Sequence, residues 1–314
     1  MLSLLTDPNL QWILIGSMLL GISTGVVGTF AYLRKQSLIG DTLAHAALPG
    51  ICIAFMLTGV RSVGLFMLGA IAAGMIATLG IGWITRQSRI KPDAAMAIVL
   101  SVFFGIGVVL LTRIQHTAYG NQSGLDKFLF GQAASMTAKD VYTMAGVAIA
   151  LTIVCAALFK EFKLISFDPG FARGIGYPVP ALEQTLLWLV TVAVVVGIQA
   201  VGVVLVAALL ITPAVSARYW TDRLGVMVFL AGAFGALSGA AGTWVSAGTE
   251  QLPTGPISVL AATAFFVASV LFGPRRGVVA KRLLRRSAKR EWVAENGGRT
   301  DAGAFAKEER GASA

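Results

Sequence analysis

The chain has 314 residues, of which 56% are hydrophobic and 13% are charged, and its mean hydropathy is +0.78. An ordinary soluble domain carries about 25% charged residues, so this composition excludes a disordered chain, a nucleic-acid-binding tail protein and a single large soluble core. The apolar residues come in runs of about 20, long enough to cross roughly 30 Å of hydrocarbon as helices. The sequence therefore predicts an all-α polytopic membrane protein.

Apolar runs follow one another along the chain and predict the spans. In order they cover 9–33, 41–60, 63–85, 93–115, 139–159, 183–200, 202–219, 224–246 and 256–273. The stretch from Gly197 to Gly202 either divides one long run into two, which gives nine spans, or leaves it whole, which gives eight. Nine spans with an outside N-terminus put ten Lys and Arg residues in inside loops and four outside, as the positive-inside rule favours.

Two kinds of residue inside the runs predict departures from plain helices. Pro49 and Pro213 lack a backbone N–H, so they are expected to kink or interrupt their helices, as is common in transporters. Glycines at three- and four-residue spacing mark one face of the run 224–246, where small residues allow close helix packing. These are Gly232, Gly235, Gly239 and Gly242.

A basic tail follows the last run. Residues 274–314 contain 11 of the 25 Lys and Arg residues of the chain. We expect residues 1–275 to form the membrane domain and residues 276–314 a disordered cytoplasmic tail attracted to anionic lipid. Nucleic acid is not an expected partner.

The inside connection after the fifth run contains a candidate interaction helix. Asp168 followed by Pro169 is a helix start signal, and Gly176 is a stop signal. Phe171 and Ile175 are spaced for one helical face. A short helix lying against the inner membrane surface fits this pattern, and an inert linker is the alternative.

Asp41 and His45 are the candidate metal ligands. They are four residues apart, so a helix presents both on one face, at the start of an apolar run where ionisable groups are expensive. A carboxylate and an imidazole suit a divalent ion such as Mn²⁺, Zn²⁺ or Fe²⁺. Two ligands cannot hold such an ion alone, and a two-fold dimer would supply four. Alternatively, Asp41 is a helix cap after Gly40 and His45 is a packing residue.

Enzyme motifs are missing from the sequence. It contains no G-x-x-x-x-G-K-[ST], no H-E-x-x-H and no G-x-S-x-G, so it offers no P-loop of its own, no zinc-hydrolase helix and no nucleophile elbow. We expect a transport subunit rather than an enzyme.

Several segments in order resemble the membrane permeases of metal-type ABC importers, the ABC-3 family that serves manganese, zinc and iron(II). The segments that carry this resemblance are LRKQSLIGDTLAHAALPGICIAF (33–55), RQSRIKPDAAMAIVLSVFFGIGVVL (86–110), LDKFLFGQ (125–132), FDPGFARGIGYPV (167–179), IQAVGVVLVAALLITPAVSA (198–217) and LPTGPISVL (252–260).

The resemblance implies a function and a set of partners. It implies that Asp41 and His45 handle metal in the membrane path, and that a cytoplasmic coupling helix contacts a separate ABC ATPase. The coupling-helix residues are Asp168, Pro169, Phe171, Ala172, Arg173 and Gly176. The other implied partners are an extracellular metal-binding protein, docking around 116–138 and 247–256, and a second permease chain, identical or a paralogue. The location implied is the bacterial cytoplasmic membrane, with no permanently bound cofactor.

The segment VLFGPRRGVVAKRL (270–283) resembles that of manganese and iron members of the family more than that of zinc members. The resemblance implies manganese as the cargo, with zinc or iron(II) as alternatives. Three other classes stay open at this point. An ABC permease for chelated metal or cobalamin would have no use for a carboxylate–imidazole pair. An ion-coupled secondary metal transporter would need acidic residues deep in its spans, which this chain almost lacks. A metal-gated channel or a membrane scaffold would need no ATPase.

Overall fold

The computed structural model describes residues 8–59, 62–116, 138–248 and 252–279. Within these ranges the protein is built from α-helices and short connections, with no β-strand. The helices are α1 (Pro8–Leu33), α2 (Ile39–Thr58), α3 (Val63–Gln87), α4 (Pro92–Gln115), α5 (Ala138–Ala157), α6 (Phe159–Phe167), α7 (Pro169–Gly174), α8 (Val179–Val201), α9 (Val203–Trp220), α10 (Leu224–Gly248) and α11 (Thr254–Phe272).

Nine helices in the described part of the chain are long and apolar enough to cross a membrane: all but the short α6 and α7. Their bounds match the nine predicted runs to within a few residues. The division between α8 and α9 falls at Gly202, a single non-helical residue with φ +89° and ψ 166°. Glycine adopts this φ without steric cost. In the described part of the chain, nine candidate spans, rather than eight, are therefore confirmed.

Both intramembrane prolines lie inside continuous helices. Pro49 is within α2 and Pro213 is within α9, and each helix extends past its proline. Neither helix is interrupted at its proline, so of the two expected effects, a kink or an interruption, only the kink stays open. Whether each proline bends its helix stays a prediction. The interruption that the structure does show is the one at Gly202.

The glycine face of α10 packs closely against α1. A Cβ atom built on Gly235 would lie 2.0 Å from the carbonyl oxygen of Gly21, and one on Gly239 would lie 2.4 Å from that of Ser17. The Ser17 and Thr243 hydroxyls are hydrogen bonded at 2.9 Å beside this contact. The predicted packing role of these glycines is confirmed, and α1 contributes small residues of its own.

Helix α2, which carries the candidate metal ligands, lies inside the bundle. It packs against α3, α4, α8 and α9, and more than half of its 20 residues are buried. Gly50 lies directly against Gly69 of α3, because a Cβ on Gly50 would come 2.1 Å from the Gly69 carbonyl oxygen. This close packing fixes the helix from which Asp41 and His45 project.

Candidate functional site

Asp41 and His45 form a close pair at the beginning of α2. The Nε2 atom of His45 lies 3.5 Å from Oδ1 of Asp41, with the residues one helical turn apart. The Asp41 side chain is 45% exposed and that of His45 is 26% exposed. The separation exceeds the length of an ordinary N–H···O hydrogen bond. The two side chains therefore lie near each other with their oxygen and nitrogen atoms available to bind a third group.

The structure decides whether Asp41 caps the helix α2. Leu38 is the residue before the first turn of α2, and it makes no side-chain capping bond. Asp41 lies inside the helix, as the third residue from its start, so the interpretation of Asp41 as an N-cap is wrong. Its carboxylate nevertheless lies in the first turn, where the helix dipole favours negative charge.

The other side of the His45 ring contacts α4. The ring centroids of His45 and Phe104 are 5.0 Å apart with an interplanar angle of 77°, an edge-to-face contact. This contact restrains the imidazole orientation, as such aromatic pairs prefer edge-to-face packing. The packing role foreseen as an alternative for His45 is therefore real, and it leaves Nε2 on the Asp41 side.

The described residues of one chain supply two ligands and no more at this place. No group of three or more His, Cys, Asp and Glu side chains occurs among them. Cys52, two turns further along α2, is buried, and its sulfur lies 3.9 Å from the Gly107 carbonyl oxygen of α4. Pro49 has no N–H for the His45 carbonyl, so that oxygen lacks its usual helical donor. A metal ion bound here would need further ligands, from such backbone oxygens, from residues outside the described ranges, from water or from a second chain.

A short helix, α7, lies where the coupling helix is predicted. The Asp168 carboxylate accepts a hydrogen bond of 2.8 Å from the Phe171 N–H, and Pro169 is the first helical residue. The helix ends at Gly174, and Gly176 then adopts a φ of +89°. It is thus shorter than the predicted segment from Asp168 to Gly176.

Apolar side chains on the α6–α7 segment are exposed at four-residue spacing. Phe167 and Phe171 are each 58% exposed and Ile175 is 52% exposed. Ala172 is fully buried and anchors α7 to the rest of the protein, whereas Arg173 is exposed. Exposed apolar side chains that cluster at one place mark an interaction surface.

The helix α6, which sequence reasoning missed, lies against the end of α1. Phe30 of α1 stacks with Phe162 at a centroid distance of 5.4 Å and with Phe159 at 6.2 Å. Next to this cluster, Arg34 donates a hydrogen bond of 3.0 Å to the Ile165 carbonyl and forms an ion pair with Glu183 of α8. The sequence offers no local signal for this pair, because its members are 149 residues apart.

Other ionisable residues in the described part of the chain form no cluster with Asp41 and His45. Asp93 lies in the first turn of α4, where the helix dipole explains it, and His116 is exposed at the far end of the same helix. Asp140 accepts a hydrogen bond from Gln199. The segment 125–132, which carries part of the family resemblance, lies outside the described residues.

Comparison with known proteins gives a consistent result along the chain. A family model described as the ABC 3 transport family matches residues 6–273. The manganese transport system membrane protein MntC of Bacillus subtilis is 52% identical over 293 residues, which is 92% of this chain and 67% of that protein. The zinc transport system membrane protein TroC of Treponema pallidum is 43% identical over 286 residues, 91% of this chain and 96% of that one.

Solved structures of similar proteins agree with the family match. The structure titled PsaBC from Streptococcus pneumoniae in complex with Fab aligns with a TM-score of 0.76 and 34% identity, over 87% of this chain and 95% of that chain. An inward-facing putative metal-chelate type ABC transporter aligns with a TM-score of 0.61 and 16% identity, over 82% of this chain and 84% of that one. At that identity the second likeness concerns the fold alone.

Proposed function

Because the chain belongs to the ABC-3 transport family, we propose that it is the permease subunit of an ATP-driven importer of divalent transition-metal ions, with manganese as the cargo. The observation that carries this proposal is the Asp41–His45 pair, open on one side at the start of a buried helix. A chain with this family membership is a transport component, and we assign ATP hydrolysis to a separate ATPase subunit.

One observation favours manganese over zinc as the cargo. A relative named as a manganese transport protein is 52% identical, against 43% for a relative named as a zinc transport protein. The ligand pair offers oxygen and nitrogen, and the buried Cys52 contacts α4 instead. Such donors do not select a thiolate-preferring ion, although affinity order alone places zinc above manganese.

We assign the missing ligands to a second permease chain. Asp41 and His45 are partly exposed while most of α2 around them is buried. A two-fold axis beside this face would bring two such pairs together and provide four side-chain ligands, with water completing the shell. The second chain is either identical or a paralogue.

We assign the exposed α6–α7 surface to the ATPase. The exposed apolar side chains Phe167, Phe171 and Ile175 on this segment suit a groove on a partner protein. The basic loops then face the cytoplasm, together with the C-terminal tail, in a bacterial plasma membrane. An extracellular metal-binding protein would deliver the ion to the opposite face.

Metal accumulation tests the proposal. Cells lacking their own manganese uptake would express this chain with its ATPase and binding protein, as wild type, Asp41→Ala or His45→Ala. Asp93→Ala is the matched control, since Asp93 lies in the first turn of α4 as Asp41 does in α2. We expect both α2 variants to lose at least ten-fold in manganese uptake at normal membrane abundance, with the control unchanged. Normal uptake by the α2 variants would overturn the site, and selective uptake of zinc would overturn the cargo.

A further inference from the structure

Arg34 connects three helices that come from distant parts of the sequence. It is the residue directly after α1, and its guanidinium donates to the Ile165 carbonyl of α6 at 3.0 Å. The same guanidinium pairs with the Glu183 carboxylate in α8. One side chain therefore joins the end of α1 to the segment that precedes α7 and to a central helix of the bundle.

This junction is shielded from solvent. The Arg34 side chain is 14% exposed and the Glu183 side chain is 28% exposed. Moving such charges out of water costs free energy that their attraction only partly offsets. Arg34 also keeps a buried Nε for which the described residues offer no acceptor. A contribution to folding stability is therefore a weak explanation for the Arg34–Glu183 ion pair. A role that depends on the direction and geometry of its hydrogen bonds explains the pair better.

The connection from Arg34 to α2 is short and rigid. Lys35 adopts a left-handed conformation with φ +58°. Around it, the Lys35 N–H bonds to the Tyr32 carbonyl and the Gln36 N–H bonds to the Ala31 carbonyl, each at 3.0 Å. These two bonds form the Schellman pattern that closes a helix end. A displacement at Arg34 therefore reaches the start of α2 instead of being absorbed by a loose loop.

We propose that Arg34 is a positioning residue for transport: it passes the displacement of the α6–α7 segment to α2, and so to Asp41 and His45. This inference rests on the proposed function. The two hydrogen-bonded partners of Arg34 have separate roles. Ile165 is the residue through which α6 acts on Arg34, and Glu183 holds the guanidinium in the orientation that α2 requires. The neighbouring contacts of Phe30 with Phe159 and Phe162 attach α6 to α1, but apolar contact is non-directional.

The test is the number of manganese ions transported per ATP hydrolysed. The complex of permease, ATPase and binding protein would be reconstituted in vesicles, with manganese binding to the purified complex measured separately. In Arg34→Glu the charges repel and the donor to Ile165 is lost. In Arg34→Glu with Glu183→Arg the ion pair is restored, but position 34 still has no donor for Ile165. Arg86→Ala is the control, because Arg86 also bonds to α8, through the Pro180 carbonyl at 3.2 Å, yet does not contact α6.

We expect the double variant to recover wild-type membrane abundance and manganese binding, with at least a five-fold lower ratio of ions transported to ATP hydrolysed. Arg86→Ala should leave this ratio unchanged. Full recovery of the ratio in the double variant would overturn the role and leave the pair as a structural contact. Failure of the proposed function has a different signature, since the wild-type complex itself would then bind no manganese.

Discussion

The contact between α1 and α10 yields a quantitative prediction at Gly235. A Cβ atom at this position would lie 2.0 Å from the Gly21 carbonyl oxygen, and one at Gly21 would lie 2.1 Å from the Gly235 carbonyl oxygen. Favourable contacts between such heavy atoms begin near 3.5 Å. Gly235→Ala therefore requires the two helices to part locally by roughly 1.5 Å, because the obstacle is backbone and cannot rotate away.

The cost of that separation follows from how membrane helices associate. Lipid provides no hydrophobic drive between helices, so their association depends on van der Waals contact and hydrogen bonds. A gap of about 0.5–1 Å already forfeits about a quarter to a half of the dispersion attraction. Overpacking typically costs about 1–3 kcal/mol, and we expect Gly235→Ala to lie near the upper end, at about 3 kcal/mol.

The measurement is thermal unfolding of the purified protein in detergent, with Gly232→Ala as the matched control. Gly232 lies one turn earlier on the same face of α10, and its added Cβ would meet the nearest atom, Cγ2 of Val26, at 3.5 Å. Both substitutions raise helix propensity equally, so the difference between them isolates the close approach. A Gly235→Ala protein that melts at the same temperature as Gly232→Ala, or above it, would refute this reasoning.

Three further predictions follow from single sites. Lys35→Gly should raise the free energy of unfolding by about 1 kcal/mol, because glycine adopts a positive φ without the cost that other residues incur; a lower melting temperature would contradict this. Asp168→Ala removes the acceptor for the Phe171 N–H and should destabilise α7 locally by about 1 kcal/mol, seen as faster amide exchange in α7 with the spans unchanged. Cys52 and Cys155 are buried free thiols, so both should resist maleimide until the protein is denatured, and labelling in the folded state would show that one of these sites opens.

The spans were predictable because the membrane imposes a length and a composition on each of them. Apolar runs of about 20 residues can be read directly from a sequence, and the division at Gly202 was visible as a glycine pair within one long run. The start of α7 was predictable for a similar reason, since Asp168 and Pro169 act within their own turn. The helix α6 was missed because no glycine or proline separates it from α5; the chain changes direction only at Leu158, with φ −92° and ψ 18°.

Contacts between distant segments could not be predicted from the sequence. The spacing of Asp41 and His45 placed them on one helical face, but nothing local indicated that Phe104 would restrain the imidazole ring. In the sequence, Glu183 is the first residue of the predicted span 183–200, where a helix dipole would account for it, and only the fold shows Arg34 beside it. A single sequence shows which residues are charged but not which of them pair. Many Lys and Arg residues in the inside loops could equally well be the partner of Glu183.

The proposed metal site would be incomplete in one chain, and this incompleteness would suit transport. A carrier must bind its ion strongly enough to accept it and weakly enough to release it. Four or more ligands fixed on one rigid chain would hold a transition metal through every step. The described residues instead provide one carboxylate and one imidazole on α2. A site completed by a second chain is taken apart when the chains move relative to each other, so the same movement that opens the path also lowers the affinity. On this argument the position of α2, which Arg34 would set, decides both access to the ion and its release.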